Sequence, residues 1–344
     1  MHYHIIKVIV IASLLLMQIG CNKPSEPKDN PPEKDTIPNY DEGCTSGIKN
    51  PSVKGKILFT SRRSGEYQQL FMMGPDGANI KQLTFGEYNN LMGRWSKDGK
   101  KIAFQSDTPK TTLGIPVYIM NSDGDNKYPL LPNYYYNQFP LVGSPEDWTS
   151  DSKAILVGTC KPCDPYPDFF SLLVSINGQI VKNLRDKINK LSVSGYPFYS
   201  PDFSKIALSS IDYIYILDSN FTNLKKIKVS AGAGGIAWSP DGCKIVFGAK
   251  AETNTWGELF VYYLDRNEKE QITYHAGNEQ FRYPRWSPDS KKIIFYSQAI
   301  PSLENGFSHN TYIKIVDIGT KQITTVIDDS TAIYPDWSWS EINE

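Results

Sequence analysis

One phrase recurs along this chain and limits what it can fold into. An aromatic residue is followed by serine or threonine, a turn, and a short apolar run. The copies are WSKDGKKIAF at 95–104, WTSDSKAILV at 148–157, YSPDFSKIAL at 199–208, WSPDGCKIVF at 238–247 and WSPDSKKIIF at 286–295. A half copy, WSWS, stands at 337–340. Successive aromatics lie about 40 to 53 residues apart, which is the period of a four-stranded blade in a radial β-architecture.

Every part of the phrase has a physical job. The aromatic fills space between neighbouring units. Pro-Asp-Gly and its variants make a tight turn, because Pro fixes φ and Gly or Asp tolerates the turn geometry. The apolar run after it is a short strand buried on both faces. A second phrase supplies a third strand and a hairpin turn. Leu70–Met73 leads into GPDG at 74–77, and Val117–Met120 leads into NSDG at 121–124. The fourth strand ends in Leu83-Thr84 or Ile272-Thr273. The fold class expected is therefore all-β, a six-bladed β-propeller of four-stranded blades over residues 53–344. Tyr334–Ser338 reads as a first strand with no second, and Lys56–Ser61 as a second strand with no first. One C-terminal strand and three N-terminal strands then close the ring and leave no open edge.

The Trp-Ser-Pro-Asp-Gly-x-x-Ile-x-Phe phrase resembles the propeller repeat of the TolB family, found in many TolB-like periplasmic proteins. The resemblance implies fold and not function. The sequence departs from TolB in lacking its α/β domain ahead of the propeller.

Residues 1–20 have a signal-peptide layout: Lys7, an apolar run from Val8 to Leu16, then Gly20 and Cys21. Gly-Cys resembles a lipobox, which makes Cys21 the expected lipidation site, although Gln18 stands where that pattern has Leu. An ordinary signal peptide is the alternative. Residues 21–52, broken by Pro24, Pro27, Pro31, Pro32, Pro38 and Pro51, read as a tether. A cell-envelope location is expected, lipid-anchored and most simply in the outer membrane, facing the periplasm or the cell surface. Cys160 and Cys163 are a candidate disulfide staple.

The net charge of -1 gives no nucleic-acid footprint. Alternating strand directions put the short first-to-second and third-to-fourth turns on one face and the long loops on the other. Long loops on a rigid scaffold are where function concentrates. The candidate binding face comprises Arg62, Arg63, Tyr134, Tyr135, Tyr136, Trp256, Tyr274, His275, Phe281, Arg282 and His309. Such a surface suits a protein, peptide or glycan partner. No catalytic residue and no cofactor is assigned. Gly-x-Ser-x-Gly is absent. His275, Glu279 and His309 are weak metal candidates, the basis of an alternative as a carbohydrate-active enzyme or glycan-binding lipoprotein. Oligogalacturonate lyases also carry TolB-like propellers with loop histidines and a metal. A third alternative is an architectural subunit of an envelope complex.

Overall fold

The computed structural model describes residues 54–108, 116–131, 135–136, 139–140, 142–161, 168–184, 188, 197–210, 212–230, 234–251, 257–274, 279–299 and 310–342. Cys21, the signal region and the tether lie outside them.

Six four-stranded antiparallel sheets form the blades of a β-propeller. Blade 1 is Ile333–Trp337, Ile57–Ser61, Gln69–Met73 and Lys81–Gln82, so the two ends of the chain share one sheet. Blade 2 runs from Asn90–Trp95 to Tyr128–Pro129, and blade 3 from Val142–Trp148 to Ile180–Asn183. Blade 4 runs from Phe198–Tyr199 to Asn223–Lys228, blade 5 from Gly234–Trp238 to Glu268–Gln271, and blade 6 from Glu279–Trp286 to Ile323–Ile327. A small hairpin, Tyr135–Tyr136 with Phe139–Pro140, lies ahead of blade 3.

The closure expected from the repeat count is present. Ile57 pairs with Trp337, Leu58 with Asp336 and Thr60 with Ile333. Lys56 N–H donates to Ser338 Oγ at 2.8 Å, and the Trp337 indole donates to the Lys54 carbonyl at 3.0 Å. Beyond that strand, Ile342 packs with Leu58, Trp95 and Ile102.

The core lies between blades. Each described apolar cluster joins two neighbours, as Ala237, Leu259 and Ile272 of blade 5 join Phe281, Trp286 and Phe295 of blade 6. Strand alternation explains the sharing. Ile57 and Phe59 pack toward blade 6, whereas Leu58, between them, packs toward blade 2. All three are fully buried, because a second strand has sheet neighbours on its edges and blades on its faces.

The repeated Ser and Asp build the first turn. Ser96 Oγ donates to Asp98 Oδ1 at 2.7 Å and accepts from Lys101 N–H at 2.9 Å, while Lys100 N–H donates to Asp98 Oδ1. Ser200 with Asp202, Ser239 with Asp241 and Ser287 with Asp289 repeat the arrangement, and Thr149 with Asp151 uses threonine for it. The residue after each Asp has positive φ: Gly99 at 71°, Ser152 at 57°, Phe203 at 61°, Gly242 at 69° and Ser290 at 59°. Glycine is strain-free there. Phe203 instead stacks on Tyr199, with ring centroids 4.7 Å apart.

The motif tryptophans tie blade to blade. Trp148 donates its indole N–H to the Arg94 carbonyl at 3.0 Å, Trp238 to Phe198 at 2.8 Å and Trp286 to Ala237 at 3.0 Å. In each case the acceptor immediately precedes the motif aromatic of the previous blade.

Candidate functional site

In blades 1, 2, 5 and 6 the innermost strand carries a bulge three residues before the motif aromatic. Met92, Tyr283 and Tyr334 hold φ of 55°, 51° and 52° there, and Gly235 holds 62°. Strand register shifts across these positions in blades 1, 2, 5 and 6. The shift fixes the side chains that follow it. The residue before the aromatic is Asp336, Arg94, Asp147, Phe198, Ala237 and Arg285 in blades 1 to 6. All six line one cavity on the ring axis. Lys97 and Trp339, which follow first strands, also line it. The cavity therefore reaches toward the short-turn face and away from the long loops.

Its wall is half charged and half apolar. Blades 6, 1, 2 and 3 contribute Arg285, Asp336, Arg94 and Asp147 with Glu146, whereas blades 4 and 5 contribute Phe198, Ile236 and Ala237. Arg285 Nε lies 3.5 Å from Asp336 Oδ1. The other Asp336 oxygen accepts from Trp95 N–H at 2.8 Å. Lys97 Nζ contacts Asp147 at 2.6 Å and sits 3.8 Å above the Trp339 ring. Glu146 accepts from the Ser144 hydroxyl at 2.6 Å. Arg94 is only 2 % exposed. Its Nη1 donates to the Gly93 carbonyl at 3.0 Å, while Nε and Nη2 have no acceptor.

Burial dominates the electrostatics. It pushes the Glu146 and Asp336 carboxyls above the usual carboxylate range, although Arg94 and Arg285 pull both the other way. It also lowers Arg285 to about 10, with Arg94 adding like-charge repulsion.

The expected binding face fares unevenly. Arg62 and Arg63 are exposed. The Arg63 guanidinium lies 3.7 Å from Asp329 and 5.7 Å from the Phe71 ring centre. Tyr274 is 65 % exposed and bonds the Gln271 carbonyl at 3.1 Å. Arg282 is half-buried and donates to Gln280 Oε1 at 2.8 Å. Phe281 corrects the expectation. It is buried against Phe295, centroids 4.8 Å apart, because the innermost strand of blade 6 begins at Glu279 and turns this ring inward. Glu279 is ion-paired with Lys314 at 2.7 Å. Tyr135 and Tyr136 occupy the small hairpin. Tyr134, Trp256, His275, His309 and Cys163 lie outside the described residues, as does any pairing of Cys163 with Cys160, whose backbone is in the second strand of blade 3. Among the described residues no three His, Cys, Asp or Glu side chains are grouped to hold a metal ion.

The axial charges were missed from sequence, yet a signal existed. Arg94, Asp147, Arg285 and Asp336 occupy one repeat position, directly before a motif Trp.

This geometry defines the fold class: a TolB-like six-bladed β-propeller. TolB from Acinetobacter baumannii matches with a TM-score of 0.61 at 17 % identity, over 83 % of this chain and 66 % of that protein. A TolB-type protein of Agrobacterium tumefaciens matches with a TM-score of 0.57 at 16 % identity, over 82 % of this chain and 91 % of that one. Hydrazine synthase of Kuenenia stuttgartiensis has a similar fold, with a TM-score of 0.58 at 15 % identity, over 88 % of this chain and 49 % of that one. Proteins so different in name show that the fold alone does not assign a function. Dipeptidyl-peptidase 5 of Porphyromonas gingivalis is 25 % identical over 269 residues, 75 % of this chain but only 37 % of the peptidase. The chain thus spans little more than a third of that relative's length. No family model matches the sequence.

Proposed function

We propose that the protein is a binding module of the bacterial envelope, anchored through Cys21, which engages its partner at the axial cavity. The carrying observation is the unpaired edge of Arg94 in a buried ring of charges. Burying charge weakens a fold unless every partner is supplied, and apolar side chains at this position, such as Phe198 and Ala237, pack well in blades 4 and 5. A ring kept charged on one side is suited to recognition. The envelope location is supported by the signal-peptide layout and the TolB-type repeat.

A second reading places a broader protein contact on the long-loop face. Phe85 and Tyr274 favour it. They are 62 % and 65 % exposed, and each follows a buried Thr two residues past a fourth strand.

A photo-crosslinking amino acid at Trp339 and, separately, at Tyr274 tests the site in living cells. The axial reading expects a discrete adduct from position 339. An adduct from 274 alone moves the partner to the long loops, and none from either position rejects a protein partner. Fatty-acid labelling lost in Cys21→Ala tests the anchor.

A further inference from the structure

We infer that Arg94 is the anchor of a site for a carboxylate carrying an apolar group. This rests on the axial cavity being the binding site and specifies its ligand.

Recognition begins at the Arg94 guanidinium. Its five N–H groups form a fixed planar array with no acceptor capacity. Nη1 is occupied by the Gly93 carbonyl. The two nitrogens without acceptors, Nε and Nη2, share one edge of the plane, and their hydrogens point the same way. That edge matches the two oxygens of a carboxylate, the geometry in which arginine binds bidentately. The neighbouring carboxylates have other partners: Asp147 is held by Lys97, Asp336 by Arg285 and the Trp95 N–H, and Glu146 by Ser144. They leave the edge unfilled.

Their presence also selects the ligand's charge. Glu146, Asp147 and Asp336 share the cavity with Arg94, Arg285 and Lys97. A singly charged carboxylate meets one free fork among balanced charges. A phosphate dianion gains no net attraction from these balanced charges, yet it must shed the hydration of two charges to use the same single fork.

The apolar group follows from the ring. In a six-membered ring blade 5 stands opposite blade 2. Ile236 and Ala237 of blade 5, flanked by Phe198 of blade 4, therefore face Arg94 across the axis. A ligand with its carboxylate on Arg94 lays its body against that wall. A peptide C-terminus with an apolar last residue and a free organic acid offer the same chemistry.

The test is calorimetric titration of the full chain in detergent with 3-phenylpropionate, its primary amide and inorganic phosphate. The expected result is binding of the acid, with amide and phosphate at least about ten-fold weaker. Arg94→Lys keeps the charge but removes the fork, so acid binding should fall by a similar factor. Equal binding of acid and amide overturns the inference, as does equal competition by phosphate. If Arg94→Lys folds poorly, the acid–amide comparison on the unaltered chain still decides. A Phe-terminated tripeptide and its amide separate the sources: tighter binding of the peptide acid than of phenylpropionate identifies a chain terminus, and the reverse a free acid. An adduct from position 339 together with an inert acid retains the axial binding site and removes its carboxylate ligand.

Discussion

Arg285 and Asp336 face each other at 3.5 Å between blade 6 and the C-terminal strand that closes the ring in blade 1. Asp336 also accepts the Trp95 backbone N–H, so one carboxylate links blades 6, 1 and 2. The tryptophan pattern breaks at this closing strand. Trp95, whose blade follows the closing strand, has no acceptor for its indole N–H, and Trp337 donates to Lys54 instead of to blade 6.

Deleting residues 334–344 removes most of the closing strand and Ile342. Blade 1 then presents an open strand edge, and the cluster between blades 1 and 2 loses a wall. The expected outcome is loss of cooperative unfolding, followed by circular dichroism on heating. A truncated chain that melts like the full one rules out this closure.

Trp286→Phe leaves the Ala237 carbonyl without its indole donor and should destabilise by about 1–3 kcal/mol. Trp286→Ala adds a cavity and should cost about 3–5 kcal/mol. Trp95→Phe should cost less than Trp286→Phe, since it removes a buried donor that has no acceptor. Urea unfolding of the three variants gives the ranking.

Ser152 holds a positive φ of 57° and accepts the Asp98 backbone N–H from blade 2 at 3.0 Å. Ser152→Gly relieves strain of about 1 kcal/mol and loses a bond of similar worth, so stability should hardly change. Ser152→Ala keeps the strain and loses the bond, a loss of about 1 kcal/mol. Equal stability of the two variants in denaturant melts argues against this balance.

Burial raises the Glu146 carboxyl above its unfolded value. A raised folded-state pKa means the folded protein holds the proton more tightly. The resulting stabilisation is complete below the ordinary carboxylate range and is lost as pH rises through the raised value. At neutral pH the buried charge therefore opposes folding. Glu146→Gln should melt above the unaltered protein at pH 7.5, and the difference should vanish toward pH 4. A pH-independent difference contradicts this account.

Much of the fold was legible because its code is local. The Ser-x-Asp turn hydrogen-bonds within a few residues, and the apolar run after it is buried wherever it occurs, so five such phrases and a half copy at blade spacing specify six blades. The same count revealed that Ile57–Ser61 needs the strand containing Trp337. Loop extents were harder to read. Phe281 looked like loop surface because nothing in its immediate sequence shows that the strand of blade 6 starts two residues earlier.

The sequence by itself determined the strands, the turns, the number of blades and the way the ring closes. Tertiary structure decided what meets on the axis. Arg94, Arg285 and Asp336 are far apart in the chain, and only ring closure brings them into one cavity with Phe198 and Ala237 opposite. The physical reason is that turn and strand chemistry acts over a few residues, whereas the burial, pairing and unfilled edge of a charged side chain depend on which blades stand beside and across from it.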